Sequence, residues 1–227
     1  MQGLAAEVLV CDTGSDDATV VLAQQAGARV IQLPWEGFGT SKNKANALAS
    51  HPWILQLDAD ETADDTLIQQ LQHVNWNETD CVYRIKRISF FNGRRIRFGA
   101  WKNDYQLRLF HRNHAHWTAD PVHERLFFQQ GRVNNLGGSL QHYTATSAAQ
   151  YQQKMERYAL LSATKYLQQQ KGGAAWKQYV SPVISFLRNY CWRLGFLDGW
   201  AGWQLACITA RYTHRKYARL LQLQHPS

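Results

Sequence analysis

Short apolar runs that end in acidic residues mark the first third of the chain. EVLVCD ends at Asp12, and WILQLDADE ends in Asp58, Asp60 and Glu61. An apolar run of this length bounded by charge is typical of a buried strand in a parallel sheet. Turn residues after the first run predict a helix over residues 18–26. The pattern predicts an α/β fold whose strands bring acidic residues to the sheet edge where such folds bind ligands.

The segment between these runs adds one strand and one helix to the prediction. RVIQLP reads as a strand, and WEGFGTSKNKANALAS as a glycine loop that opens a helix capped by Thr40 or Ser41. Carboxylates at Asp58 and Asp60 suit a divalent cation. An Asp-x-Asp tripeptide is also explained by turn chemistry alone, so the residues by themselves leave both interpretations open.

The order of these segments resembles the donor half of family 2 glycosyltransferases of the GT-A fold. The resemblance rests on DTGSDDAT, WEGFGTSKNKANALA and WILQLDADE, and continues through ISFFNGRRIRFGAW, YQLRLFHR, PVHERL, GSLQHYTATSAAQYQQKMERYA and LGFLDGWAG. It is nearest to bacterial lipopolysaccharide core glucosyltransferases that add glucose to inner-core heptose. The resemblance implies a Rossmann-like, mainly parallel sheet flanked by helices. It also implies inverting transfer of glucose from UDP-glucose, one sugar at a time, because the Gln-x-x-Arg-Trp signature of processive members is absent.

The resemblance gives donor-side roles to several residues. Asp12 and Asp58 would face the nucleoside, Lys42 the diphosphate, and Asp60 a cation that neutralises the leaving diphosphate. Magnesium or manganese fits such an oxygen-rich site better than zinc. His142 is a candidate additional metal ligand, with an ordinary structural histidine as the alternative. For Lys42 the alternative is a solvated surface lysine.

Acceptor-side chemistry is expected in PVHERL, because an inverting transfer needs a base for the acceptor hydroxyl. Glu124 is the first candidate for that base, with Asp120 as a second catalytic candidate and His123 as a supporting or merely surface residue. Lys154 and Arg157 share a helix face and would contact an anionic acceptor or donor phosphate, unless that face is simply solvated.

Positive charge is concentrated at the carboxyl end of the chain. The 227 residues carry a net charge of +8, and residues 151–227 hold 11 Lys and Arg against 2 acidic residues. The aromatic residues mixed with them are Trp176, Tyr179, Phe186, Tyr190, Trp192, Phe196, Trp200 and Trp203. Such a helix pair suits the headgroup region of an anionic membrane, the alternative being that its aromatics are core. The most apolar stretch, 194–210, contains Asp198 and is shorter than the ~20 residues of a membrane span.

These observations predict a catalytic domain at 1–147 and a helical, membrane-surface region at 148–227. The expected partners are a nucleotide-sugar donor, a lipid-linked acceptor (lipid A–core) and the anionic cytoplasmic face of the inner membrane. Nucleic acid is not expected, because no DNA- or RNA-binding signature accompanies the basic charge. The four cysteines lack metal or disulfide spacing, and no secretion signal precedes the first strand.

The amino end departs from the resemblance. The chain opens with MQGLAAEVLVCD, whereas family members place another strand, loop and helix before this strand. Loss of a central strand would expose hydrogen-bonding edges and core surface. A second expectation is therefore a truncated, inactive remnant that acts at most as a binding protein, unless the functional start lies upstream.

Overall fold

The computed structural model describes residues 4–119, 124–129 and 131–225. The strands there are β1 (Leu9–Asp12), β2 (Arg29–Gln32), β3 (Trp53–Leu55), β4 (Glu61–Ala63), β5 (Cys81–Phe91), β6 (Arg94–Arg95), β7 (Asp104–His111), β8 (Ala115–Trp117), β9 (Leu126–Phe128) and β10 (Arg132–Ala145). The helices are α1 (Thr19–Gln25), α2 (Phe38–Leu48), α3 (Asp65–Gln72), α4 (Ala148–Gln168), α5 (Ala174–Leu187) and α6 (Gly199–Gln224). Shorter turns of 3-10 helix lie at Gly99–Trp101 and Gly195–Asp198, and a π-helical turn at Arg188–Trp192. The predicted α/β class is confirmed.

The described strands form three sheets. β1 pairs parallel with β2, and β8 pairs antiparallel with β9. The largest sheet has the order β3-β7-β5-β10-β4, with β6 paired to β5. β3 runs antiparallel to β7, with Ile54 opposite Phe110.

The expectation that residues 53–61 begin with a buried strand of a parallel sheet is wrong in burial and in the direction of the neighbouring strand. All three residues of β3 are half-buried, and the described partner of β3 is antiparallel. The N–H of Gln56 donates to the carbonyl of Arg108 at 2.8 Å. After Gln56 the chain turns, and the acidic residues follow. The apolar run is therefore a short strand followed by a loop, and Glu61 already belongs to the next strand.

The chain divides into two compact units. Unit 1 takes the described residues within 1–58, 63–86 and 105–139, and unit 2 those within 59–62, 87–104 and 140–227. Every described secondary-structure element after residue 145 is helical. None of the described helices combines the length and the apolar character needed to cross a bilayer.

In unit 1 the core is built around β5, β7, β8 and β9. Its buried members are Val82, Phe110, Ala115, Trp117 and Leu126. Helix α1 lies within the predicted range, and the carboxylate of Asp17 accepts the N–H of Thr19 at its start.

The predicted caps of α2 are wrong. The helix begins at Phe38 after Gly37, whose φ of +97° supplies the change of direction, so Thr40 and Ser41 lie inside the first turn. A side-chain cap is replaced here by a backbone conformation that favours glycine.

In unit 2 the long helix α6 packs against both α4 and α5. One buried cluster holds Phe91, Ile96, Ala145, Tyr151, Ala201 and Ile208. A second cluster joins Ala163 of α4, Ala174 of α5 and Leu220 of α6. Two small residues at this second contact let the three helices approach closely.

Candidate functional site

Asp12 organises the turn that follows β1. Its carboxylate accepts the backbone N–H of Gly14 at 3.1 Å and the backbone N–H and hydroxyl of Ser15. The hydrogen bond from the Ser15 hydroxyl is the main cause that lowers the pKa of Asp12. The side chain is buried, and Gly14 has a φ of +110°, so the DTGS segment forms a tight anionic turn at the end of β1. The geometry shows a structural use for this carboxylate, while its predicted nucleoside contact stays a prediction.

Lys42 lies at the centre of a charged cluster in unit 1. Its Nζ is 2.9 Å from Glu124 Oε1 and 3.3 Å from Asp58 Oδ1, and its side chain is only 14% exposed. The ammonium also lies 4.5 Å from the centroid of the Trp117 ring, which adds a cation–π contact. Three predicted site residues are thus brought together, and the solvated-surface alternative for Lys42 is wrong.

Two contacts fix α2, and with it Lys42, against β8. The side-chain amide of Asn43 donates to the Trp117 carbonyl and accepts the Trp117 N–H, each at 2.8 Å. Gly39 allows the close approach, because a Cβ there would lie 1.9 Å from the carbonyl oxygen of Thr118. The position of the lysine is therefore set by hydrogen bonds and by the absence of a side chain one turn earlier.

Asp58 pairs with a buried arginine that the sequence analysis did not single out. Arg108 Nη2 lies 2.6 Å from Asp58 Oδ2, and the Arg108 side chain is 2% exposed. Burial would raise the pKa of Asp58, but the charges of Arg108 and Lys42 outweigh it and lower the pKa to about 2. Asp58 is therefore a carboxylate anion at neutral pH, held between two cations.

Glu124 is the described member of the predicted acceptor-side group. Its Oε1 accepts the hydrogen bond from Lys42, and the carboxylate is 16% exposed. Asp120, the second catalytic candidate, and His123 lie outside the described residues.

In unit 2, Asp60 and His142 meet as the predicted metal pair. His142 Nε2 is 3.1 Å from Asp60 Oδ2, and Lys154 Nζ is 3.9 Å from the same oxygen. On the other side of the imidazole, Nδ1 lies 2.9 Å from the Thr144 hydroxyl and 3.3 Å from the Ser89 hydroxyl. These hydroxyl oxygens can accept a hydrogen bond from Nδ1–H, and in that tautomer the Nε2 lone pair is available to a cation.

The donor set fits a hard divalent cation in part. One carboxylate oxygen and one imidazole nitrogen are close enough to bind the same ion, and phosphate oxygens and water commonly complete such a shell. Over the described ranges, no cluster of three or more His, Cys, Asp and Glu side chains forms a complete protein site. The residues therefore fit a cation shared with an anionic ligand better than a closed structural metal site.

Glu61, the third acidic residue after β3, has a different role. Its side chain is fully buried in unit 2, with Arg87 Nη1 at 3.4 Å. Arg87 also pairs with Asp104 at 2.6 Å. The arginine thus ties the first residue of β4 to the first residue of β7.

Arg108, Trp117, Thr144 and Ser89 are the site residues that sequence reasoning missed. A signal existed only for Arg108, because a charge inside the apolar run of YQLRLFHR requires a buried partner. The hydroxyl residues gave no signal, since their role follows from the position of His142.

The chain belongs to glycosyltransferase family 2, a class of sugar-transferring enzymes. The family model described as Glycosyl transferase family 2 matches residues 2–158. The family confirms the expected GT-A, Rossmann-like fold and identifies the chain as a glycosyltransferase, which uses a nucleotide-sugar donor and a saccharide acceptor. Members of this family typically depend on a divalent cation.

Several curated proteins are similar to this chain. The lipopolysaccharide core biosynthesis glycosyltransferase LpsC of Rhizobium meliloti is 29% identical over 228 residues, which cover 94% of this chain and 84% of LpsC. An uncharacterized glycosyltransferase of Rickettsia typhi is 26% identical over 235 residues, 98% of this chain and 80% of that protein. A TPR repeat-containing protein of Synechococcus elongatus is 46% identical over 56 residues, 24% of this chain.

Proposed function

We propose that this glycosyltransferase moves a single glucose from UDP-glucose to an inner-core heptose of lipopolysaccharide, with inversion at the anomeric carbon. The main support is the cluster in which Lys42 contacts both Asp58 and Glu124. In this cluster Asp58, the proposed donor-side residue, and Glu124, the proposed base, share one ammonium group. The similarity to a lipopolysaccharide core glycosyltransferase supports the acceptor class.

On the donor side, Asp58 would accept hydrogen bonds from the nucleoside. Its low pKa keeps it an acceptor at neutral pH, and Arg108 fixes its second oxygen. Lys42 carries a second positive charge, 3.3 Å from the other oxygen of Asp58, and would contact the diphosphate as a point charge. Asp12 would contribute to the same subsite from the turn after β1.

Asp60 and His142 would hold magnesium or manganese. When bound, the cation neutralises charge that develops on the diphosphate as the glycosidic bond breaks. The hydroxyls of Thr144 and Ser89 would keep the imidazole ring oriented for this task.

Glu124 would accept the proton of the acceptor hydroxyl as its oxygen attacks the anomeric carbon. A base must lie within hydrogen-bonding reach of that hydroxyl, and a carboxylate held by a lysine has a defined position. Asp120 is the second candidate for this role.

The acceptor would be lipid-linked, and the enzyme peripheral on the cytoplasmic face of the inner membrane. The support is the excess of basic residues after residue 150. Anionic lipid attracts such segments by about 1 kcal/mol per cation near the surface.

Calorimetric titration with UDP-glucose, with manganese present and then chelated, tests the donor proposal. Metal-dependent, saturable binding is expected, followed by transfer of one glucose to a heptose-containing core acceptor. No binding of UDP-glucose with manganese present would contradict the proposal and favour the non-catalytic alternative. Equal binding of UDP-galactose or UDP-N-acetylglucosamine would contradict the choice of sugar.

A further inference from the structure

Helix α5 has its large apolar residues on the outside. Trp176, Tyr179, Val180, Val183, Ile184 and Leu187 are all exposed, and we call them the α5 face. Their spacing of three and four residues places them on one side of the helix. The residues that α5 buries are small or polar, Ala174 and Ser185. A helix on a water-exposed surface normally has the reverse arrangement.

The inner side of α5 is fully occupied by α6. The carbonyl of Gln178 lies 2.8 Å from His214 Nδ1, and Ala174 packs in the cluster with Leu220. Small residues at a helix contact let backbones approach closely, which is how helices associate in an apolar environment. Of the α5 face, Tyr179 has a ring contact with His214 of α6, at 6.4 Å between centroids, while more than two fifths of each side chain of the face stays exposed.

The turns after α5 also expose large apolar side chains. Trp192 is 87% exposed, and Phe196, Leu197 and Trp200 are exposed as well. The backbone here is closely packed: a Cβ on Gly202 would lie 1.9 Å from the Gly195 carbonyl oxygen. The carboxylate of Asp198 also accepts the N–H of Phe98 at 2.8 Å. A fixed backbone thus displays these apolar side chains.

Not every aromatic residue of the region takes part. Phe186, Tyr190 and Trp203 pack on one another, with ring centroids 5.2 to 5.3 Å apart. Phe186 and Tyr190 are half-buried and Trp203 is 40% exposed, so these ring contacts cover part of each side chain. Trp176, Tyr179, Trp192 and Trp200 are more exposed, at 59% to 87%.

The charge around the α5 face is positive. Lys177 lies at its beginning, and the exposed Arg188 and Arg193 lie at its end. Asp198 is the only acidic residue in the sequence after Glu156, and its carboxylate is bonded to backbone N–H groups. An apolar surface bordered by cations complements the boundary between anionic headgroups and acyl chains.

We propose that the α5 face, with Trp192 and Trp200, inserts into the headgroup–acyl boundary of an anionic phospholipid bilayer, with α5 lying in the membrane plane. The inference deepens the proposed membrane association and rests on it, but not on the identity of the sugar or the acceptor. It assigns the contact to particular residues and sets apart Phe186, Tyr190 and Trp203.

Sedimentation with vesicles tests this assignment. The full chain is mixed with phosphatidylcholine vesicles that contain about 30% phosphatidylglycerol, or none, a contrast that isolates the anionic contribution. Binding to the anionic vesicles is expected to be several-fold stronger than binding to the neutral ones. The variant Val183→Gln/Ile184→Gln should bind at least about tenfold more weakly, because two apolar side chains no longer enter the boundary.

The matched control is Leu160→Gln/Leu161→Gln, which changes two exposed leucines of α4. It should bind vesicles as the unaltered chain does, and thermal unfolding of both variants should stay close to that of the unaltered chain. Unchanged vesicle binding by the α5 variant would overturn the proposal. So would a dimer that the α5 variant converts to monomer without any vesicle binding, since the face would then serve a second copy.

Titration with UDP-glucose on the same variants separates this proposal from the proposed function. Loss of vesicle binding with unchanged donor binding supports the α5 face. Vesicle binding without any donor binding would contradict the proposed sugar transfer and leave the membrane assignment standing.

Discussion

Lys42 is the residue on which the charged groups of unit 1 converge. Two carboxylates and one aromatic ring surround a single ammonium group. The Lys42 ammonium can hold Asp58 and Glu124 in position as well as offer a positive charge to a ligand. Substitutions of these residues should therefore show which of them acts in the chemistry and which acts by positioning.

The variant Glu124→Gln should lose transfer activity by about a hundredfold or more, the range for removal of a general base. Glutamine can still accept a hydrogen bond from Lys42, so thermal unfolding should shift by only a few degrees. The control is Glu36→Gln, because Glu36 is an exposed carboxylate paired with Lys44 at 2.6 Å. Full activity of the Glu124 variant in a steady-state transfer assay would remove Glu124 as the base.

Asp58 should contribute a pH-dependent part of the stability. Its pKa is lowered to about 2, so this contribution is fully present above about pH 4 and is lost as pH falls toward 2. Urea unfolding of the unaltered chain and of Asp58→Asn should show a difference in unfolding free energy that shrinks by about 1 kcal/mol over this window, after allowance for solvent screening of a side chain 35% exposed. A constant difference would mean that Asp58 is not held as an anion.

Thr144→Val should weaken manganese binding by about tenfold, the scale for a lost partner of a metal-binding histidine. Valine keeps the shape but cannot accept a hydrogen bond from Nδ1–H of His142. Free manganese, measured by electron paramagnetic resonance in the presence of UDP, reports the affinity without any turnover. Thr146→Val, which removes an exposed hydroxyl bonded to Gln150, should have no effect. Equal manganese affinities of the two variants would mean that Thr144 does not support the metal site.

At the scale of elements, the approach of α2 to β8 depends on one missing side chain. Gly39→Ala would place a Cβ 1.9 Å from the Thr118 carbonyl oxygen, so the helix must shift. A loss of about 1–3 kcal/mol in unfolding free energy is expected, together with weaker UDP-glucose binding. Gly172→Ala is the control, because a Cβ there meets nothing within 4 Å. Urea unfolding and calorimetry measure both effects, and equal stability of the two variants would contradict the argument.

Elements that depend on local pattern were predictable. The first helix lies within residues 18–26, and β1 and β2 lie where the apolar runs place them. The start of α2 was not predictable from cap residues, because Gly37 acts through its backbone angle. The antiparallel neighbour of β3 lies about fifty residues later in the chain, beyond the reach of a periodic pattern.

The candidate site residues could be named from the sequence, but their contacts could not. The resemblance selected Lys42, Asp58, Glu124, Asp60 and His142, and the structure brings these together within each unit. Arg108 and Thr144 were missed, because their importance follows from partners that only the folded chain brings near. A residue type indicates chemistry, whereas its neighbours decide whether that chemistry is available.

At the scale of the whole molecule, the excess of positive charge and the α5 face both belong to the carboxyl region. The net charge of +8 arises from residues 151–227. Raising salt from about 0.05 M to 0.5 M should weaken binding to anionic vesicles several-fold without abolishing it, because salt screens the cations but not the α5 face. Sedimentation over a salt series measures this. Complete loss of binding at high salt would mean that the apolar residues remain outside the bilayer.

The inverted arrangement of α5 also changes which substitutions the helix tolerates. On an ordinary surface helix the outward positions accept almost any residue. On α5 the buried Ser185 is limited by size, because it faces the neighbouring helix, while the outward Ile184 is limited by polarity. A saturation library selected for membrane-bound protein should therefore keep Val, Ile, Leu and Met at Ile184 and Gly, Ala and Ser at Ser185. Among related sequences, the outward positions of α5 would then stay apolar, as interior positions do in other proteins.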